Sequence, residues 1–250
     1  MLAGRIMLGS SMVAFGVLDL IHGKLVGGLP PLPAWISTGQ APAYLMGVVL
    51  LALGALLLVG IQLRLTSIVL GSVFFLGACL HLLRFHDVLT NGNARTGALE
   101  PFALCGALWA GLAVMGHAQD SLDRSLSLLG RGLFAGSMLI FGVQHFLYLA
   151  FLTLLIPKWL LFPRFWVLFT GVTFVSAALA IGFRIADRLA GLLLAAMFFG
   201  WVCVLHAPRI AAHLTNSDEW CSGLVALAFT GGSLWIAASA RSRMAKSQAI

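Results

Sequence analysis

Apolar runs of about twenty residues follow one another along the chain, separated by short polar or glycine- and proline-rich breaks. A helix needs about 20 mostly apolar residues to cross the hydrocarbon core of a bilayer. Runs of that length lie near 5–27, 41–62, 65–84, 98–117, 131–156, 164–183, 188–207 and 221–240. The breaks carry suitable residues: Gly27-Gly28-Leu29-Pro30-Pro31-Leu32-Pro33, Asn91-Gly92-Asn93, Gln119-Asp120-Ser121, Pro157-Lys158 and Pro163-Arg164. The short connections near 62–65 and 183–188 predict antiparallel neighbours. The pattern therefore predicts an all-α integral membrane protein of eight transmembrane helices. The first run starts close to Met1, continues past Gly23 and lacks a small-residue cleavage site. It is expected to be the first span and not a removed signal peptide.

The second half of the chain echoes the first. Gly4-Arg5 matches Gly130-Arg131, and Phe15-Gly16-Val17 matches Phe141-Gly142-Val143, both at an offset of 126. Arg64-Leu65 and Phe74-Phe75 match Arg188-Leu189 and Phe198-Phe199 at 124. Leu80-His81-x-x-Arg84 matches Leu205-His206-x-x-Arg209, and Leu89-Thr90-Asn91 matches Leu214-Thr215-Asn216, at 125. Leu108-Trp109 matches Leu234-Trp235 at 126. Small residues and leucines coincide easily in membrane sequences; Arg, His, Asn and Trp at a nearly constant offset do not. The expected organisation is a first four-helix repeat over 1–117, a linker over 118–130 and a second repeat over 131–250. An even number of spans per unit makes the repeats parallel, unlike the inverted repeats of many transporters. In the linker, Leu122, Leu126 and Leu129 lie at helical spacing beside Asp120, Asp123 and Arg124. That pattern fits a short helix at the membrane interface or a polar linker.

Composition agrees with a lipid-facing exterior. Only 9% of residues are charged and 60% are hydrophobic, with a mean hydropathy of +1.01, where a soluble domain carries about 25% charged residues. The net charge of +7 raises the question of nucleic acid. The fifteen Lys and Arg stand singly at the ends of apolar runs, with no aromatic-laced cluster, and exclude that class. The four cysteines, Cys79, Cys105, Cys203 and Cys221, form no C-x-x-C pair and support no disulfide framework. Nine basic residues (Arg5, Arg64, Arg124, Arg131, Arg184, Arg188, Arg241, Arg243, Lys246) fall on the side of the termini, against six (Lys24, Arg84, Arg95, Lys158, Arg164, Arg209) opposite. The positive-inside rule then expects both termini to be cytoplasmic, in a bacterial cytoplasmic (inner) membrane.

Ionisable side chains inside a span are costly and usually face a bundle interior. His22 lies seventeen residues after Arg5, His81 seventeen after Arg64, His145 fourteen after Arg131 and His206 eighteen after Arg188. At 1.5 Å per residue these sit about 21–27 Å from the cytoplasmic end, at one depth in the outer part of the membrane. Helical spacing pairs Asp19 with His22, His145 with Tyr148, His81 with Arg84 and His206 with Arg209. Gln144 adjoins this layer, and the outer loops add His86, Asp87, Asn91, His213, Asn216, Asp218 and Glu219. Such a layer is expected to enclose a pocket, although helix–helix hydrogen bonding or headgroup snorkelling would also place His and Arg there.

Three chemistries fit the layer. Neutral His can donate to a quinone carbonyl while Asp or Tyr relays a proton. Histidines of two helices can ligate a haem iron, if His22 faces His81 or His145 faces His206. His and carboxylate can hold a divalent metal. No H-E-x-x-H, G-x-S-x-G or P-loop pattern is present.

Each half resembles the DoxX/DoxD-like four-helix membrane family. The resemblance lies in Arg5 leading to Phe15-Gly16, repeated at Arg131 and Phe141-Gly142, in the glycines Gly47, Gly54 and Gly60 running into Arg64-Leu65, and in a third span ending Leu80-His81. Some members of that family are subunits of quinone-reducing enzymes such as thiosulfate:quinone oxidoreductase, so the resemblance implies a link to quinone chemistry. The acidic residue often found in the family's second span has no counterpart between Ala43 and Gly60. The leading expectation is a membrane redox protein or membrane subunit with an outer-leaflet pocket for a quinone-like or other small lipophilic molecule. His81, Arg84, His206, Arg209, Asn91 and Asn216 would contact the ligand, with Asp19, His22, His145 and Tyr148 handling protons. A partner subunit would dock on the outer loops 85–97 and 208–220. The alternatives are a non-enzymatic transporter, channel or assembly scaffold, and an enzyme acting on lipid or peptide. The inner halves of the spans hold few polar groups besides Ser10, Ser11 and Ser137, which weakens a through-pathway.

Overall fold

The computed structural model describes residues 1–25, 40–115 and 120–247, with side chains described as far as Ala240. The expected Gly27–Pro33 break and Gln119 lie outside the described residues. All regular elements among the described residues are helical: α1 (Leu2–His22), α2 (Ala41–Val59), α3 (Leu63–His81), α4 (Phe85–Thr90), α5 (Gly92–Ala110), α6 (Ser121–Leu147), α7 (Leu149–Leu155), α8 (Pro163–Phe183), α9 (Asp187–Trp201), α10 (Ala207–Ala212) and α11 (Ser217–Ser247). A 3₁₀ turn (Leu82–Arg84) joins α3 to α4, and a π turn (Val202–His206) joins α9 to α10. Counted through these joints, eight described helices are long and apolar enough to cross a membrane.

Local chemistry sets the helix ends. Gly23 and Gly60 take the left-handed conformation that stops α1 and α2 (φ 59° and 84°). The Asn91 side chain caps α5 by accepting from the Asn93 and Ala94 amides. Asp120 caps α6 through the Leu122 amide, and Asn216 accepts from the Asp218 amide at the start of α11. These caps explain why α5 and α11 begin at residues 92 and 217, ahead of the apolar runs expected from 98 and 221. The outer loops expected at 85–97 and 208–220 are correspondingly largely helical, made of α4, α10 and the first turns of α5 and α11. Residues 121–130 form the first turns of the 27-residue α6, neither a separate interfacial helix nor an irregular linker. Asp123 is the reason: its buried carboxylate receives Arg64 Nε at 2.9 Å and turns that face of the helix inward.

Helix α1 packs on α2 and α11, α3 on α5, α5 on α6, α6 on α8, and α9 on α11. Several crossings bring backbone against backbone. A Cβ on Gly106 of α5 would lie 2.6 Å from the Gly130 carbonyl oxygen of α6, and one on Gly231 of α11 would lie 2.6 Å from the Gly4 carbonyl oxygen of α1. Only glycine permits such an approach, the usual device where lipid removes the hydrophobic drive between helices. Leu8, Met12, Phe134, Met138, Leu194 and Trp235 fill the centre, while large apolar side chains such as Leu83, Leu154 and Phe183 point outward. These outward apolar faces are consistent with contact with a lipid bilayer.

The end of the bundle that holds the N-termini of α3, α6 and α9 is closed by ion pairs. Arg64 bridges Asp120 and Asp123. Arg131 reaches Asp187 at 2.8 Å, the Ile181 carbonyl and the Ser239 hydroxyl. Arg131 is only 5% exposed, so it is an interior charge and not the loop charge that a count of flanking basic residues takes it for. Losing one partner of a buried pair strands the other. Asp187→Ala is expected to lower the unfolding free energy in detergent micelles by about 3–5 kcal/mol, against a change within about 0.5 kcal/mol for the exposed Arg124→Ala.

Candidate functional site

At the opposite end of the bundle, α5, α6, α7, α8, α9 and α11 surround a two-lobed cavity. Helix α6 presents Phe141, Gln144 and His145, with Tyr148 at its C-cap, at the i, i+3, i+4 and i+7 spacing of one face. Helix α5 presents Gly92, Thr96 and Glu100 four residues apart, again on one face. The first lobe, about 540 Å³, is rimmed by Thr90, Asn91 and Asn93. The second, about 300 Å³, reaches toward Trp201, His206 and Ser222. Glu100, His145, Leu152, Phe174, Phe198 and Phe229 border both lobes, which therefore adjoin across these side chains.

The floor is a closed circuit of four phenyl rings. Phe141 meets Phe174 and Phe229 at centroid distances of 6.1 Å each. Phe174 meets Phe198 at 5.5 Å, and Phe198 meets Phe229 at 5.2 Å. The His145 ring stands edge-on to Phe174 at 5.2 Å. Ring contacts of this kind fix side chains in place and leave an apolar, faceted surface, the rings being inclined to one another by 49–51°.

The polar groups facing this floor are mostly acceptors. His145 Nδ1 lies 2.8 Å from the Phe141 carbonyl oxygen; a carbonyl only accepts, so Nδ1 carries the proton and donates. Nε2 of the neutral ring is then left as an acceptor. The Gln144 amide nitrogen donates to the Gly92 carbonyl at 3.1 Å and to Thr96 Oγ1 at 3.2 Å. The Gly92 bond fixes the amide's orientation and leaves Oε1 buried with no hydrogen-bond partner. His206 Nδ1 is likewise buried and unpartnered. Glu100 has no hydrogen-bond or ion-pair partner among the described residues. Buried polar groups are nearly always satisfied; Gln144 Oε1 and His206 Nδ1 are exceptions beside the cavity, as Arg5 Nε, Ser67 Oγ and Ser137 Oγ are elsewhere in the bundle.

His206 owes its place to the π turn. Pro208 offers no N–H to the carbonyl of Val204, and its ring crowds that carbonyl. The helix widens there, and π turns recur at functional sites. Beyond it, Arg209 is held by Glu219 at 2.7 Å.

Of the residues expected to form the site, His145, Tyr148, His206 and Asn91 line this cavity, and the adjoining Gln144 does too. Asn91 stands at the rim with its side-chain oxygen committed to capping α5. Asn216 is exposed and serves the same purpose on α11. Asp19 and His22 do not share an environment: Asp19 is fully buried against the bundle, while His22, one residue before the terminating Gly23, is exposed. His81 and Arg84 are separated by the 3₁₀ turn, which leaves His81 buried beside Gly97 and Arg84 exposed. The four histidines thus do not enclose a common space; two of them do. Among the described residues, no three His, Cys, Asp or Glu side chains gather in a way that would hold a metal ion.

Glu100 is the residue that pattern reading missed. Its signal was a carboxylate inside an apolar span, directly before Pro101. Its counterpart positions in the second half, Val225 and Ala226, are apolar, so a search guided by repetition passes over it.

A family model described as a domain of unknown function (DUF8561) matches residues 134–227. That stretch holds every cavity residue of α6 through α10, but neither Glu100 nor Phe229. No curated protein and no solved structure matches the chain.

A carboxyl retained for a ligand and not for the fold has a recognisable signature. Glu100→Gln is expected to leave the melting temperature of the detergent-solubilised protein unchanged or to raise it, because an unpartnered ionisable group in a span is a cost. Gln144→Leu, which strips two hydrogen bonds from α5, is expected to lower stability by about 1–3 kcal/mol in the same assay. A large loss for Glu100→Gln would make it a structural residue.

Proposed function

We propose that this chain is an integral membrane protein built from two copies of a four-helix unit, and that its cavity binds a small, flat lipophilic molecule of the quinone and quinol class. Insertion is supported by eight long apolar helices with outward-facing large apolar side chains. Duplication is supported by devices that recur at the sequence offset. Gly60 and Gln62 take left-handed conformations between α2 and α3, and Arg184 and Ala186 do so between α8 and α9, both 124 residues later. The Ile61 amide reaches back to the Leu56 carbonyl as Ile185 does to Ala180. The Gly106–Gly130 crossing has its counterpart in Gly231–Gly4. The DoxX/DoxD-like resemblance belongs to the same proposal, with the quinone link it implies. A bacterial cytoplasmic membrane with both termini inside follows from the distribution of basic residues.

The observation that carries the ligand reading is the pairing of a four-phenyl floor with unsatisfied acceptors. A planar ring packs on such a floor, against the face of one phenyl and the edges of its neighbours. His145 Nε2 and the Glu100 carboxylate are acceptors at the cavity and call for donors, so the reduced, hydroxyl-bearing form fits this cavity better than the dicarbonyl form. Glu100 accepts a hydroxyl hydrogen bond and, on deprotonation of the ligand, a proton. This chain's residues supply binding and proton acceptance; a redox partner at 85–97 and 208–220 would complete a quinone-linked oxidoreductase. A transporter, channel or scaffold reading gains less support, because buried Arg131 and Asp187 close the far end.

The test uses the purified protein in lipid nanodiscs with a tail-free dimethoxymethylbenzoquinol as probe. Glu100→Gln and Gln144→Leu are each expected to weaken binding about 10–100-fold, the worth of a hydrogen bond to a charged or buried group. Unchanged binding in both variants contradicts the proposal.

A further inference from the structure

On the outside of the bundle, between α8, α9 and the segment that precedes α8, lies a groove of about 180 Å³. Its lining is apolar throughout: Leu160, Trp166, Phe169, Met197, Gly200, Trp201 and Val204. Trp201 also lines the inner lobe of the cavity. One indole therefore stands between the polar cavity and a surface that faces lipid. The indole is held by a hydrogen bond from Nε1 to Thr170 Oγ1 at 3.2 Å and by an edge-on contact with Trp166 at 6.2 Å. The single neutral hydrogen bond is a weak latch, worth about tenfold or less in an opening equilibrium.

We propose that the groove holds the aliphatic tail of the molecule whose ring occupies the cavity, and that Trp201 is the gate through which the molecule passes sideways from the bilayer. The inference rests on the ligand reading above and adds the tail, the route and the residue that controls it. Three features carry it. The groove offers no free hydrogen-bonding group, since the Trp166 and Trp201 indole N–H groups are already taken by the Leu161 carbonyl and Thr170 Oγ1, which suits hydrocarbon. It continues from the cavity across one side chain, so a head and tail on one molecule span both. Finally, its floor is kept low by Gly200, where an added Cβ would meet nothing within 4 Å. A larger residue at that position has room to fold and occupies the groove.

The experiment compares two probes in nanodiscs of one lipid composition: the tail-free dimethoxymethylbenzoquinol and its decyl-tailed analogue. Each is titrated against wild type, Gly200→Leu and Val204→Trp, with melting temperatures confirming that both variants fold. Filling the groove is expected to leave tail-free binding unchanged and to weaken the decyl analogue about tenfold, the equivalent of displacing about two methylenes. Bulk partitioning of the tail cancels, because it is the same for all three proteins. Trp201→Ala is expected to speed both association and dissociation of the decyl analogue severalfold; unchanged rates would overturn the gate. If both groove-filling variants bind the decyl analogue as wild type does, the groove holds only ordinary bilayer acyl chains and the tail proposal is overturned while the cavity reading stands. If wild type binds neither probe, the cavity reading fails and the tail proposal falls with it.

Discussion

Backbone contact at glycine is the constraint from which the site follows. Gly106 and Gly130 bring α5 and α6 close enough that no side chain separates them. In the outer part of the same helix pair, that proximity lets the Gln144 amide reach two groups on α5, the Gly92 carbonyl and the Thr96 hydroxyl. The bond between the helices in turn sets the amide's orientation and leaves its oxygen buried without a partner. Glu100, two turns along α5 from Gly92, is carried to the junction of the two lobes by the same approach. A side chain at either glycine would push the helices apart and dissolve the constellation without touching it.

The bundle separates its charges by purpose. At the end where α3, α6 and α9 begin, Arg64, Arg131, Asp123 and Asp187 neutralise one another in pairs. At the other end, Glu100, Gln144 Oε1 and His206 Nδ1 lack such satisfaction. Polar groups inside a membrane protein are expensive enough that the two ends demand different explanations. Paired charges lock helices; unpaired groups around a void imply a guest. The guest proposed for them has an aromatic head, for the ringed floor, and a hydrocarbon tail, for the apolar groove beyond Trp201.

The eight long apolar helices were legible because apolar runs of membrane-crossing length are a strong signal, and the histidines near their ends could be located from the same runs. Their facing was not. Asp19 and His22 sit three residues apart, yet the helix ends at Gly23 and only Asp19 is packed against neighbours. Between His81 and Arg84 the winding tightens to 3₁₀, and after Trp201 it loosens to π; neither change is visible in hydropathy, although Pro208 announces the second. Asn91 and Asn216 read as loop polars, whereas the unsatisfied amides at a helix start claim them as caps. Attention to matched positions passed over Glu100, because Val225 and Ala226, at offsets of 125 and 126, are apolar.

The most direct measurement is mass spectrometry of the lipophilic molecules retained by the protein purified gently from membranes, run alongside Gln144→Leu and Glu100→Gln. A hydroxyl-bearing, ring-containing lipid bound to wild type and lost from both variants is the predicted result. Retention of only bulk phospholipid, the same in all three proteins, would contradict the account and leave the cavity without a guest.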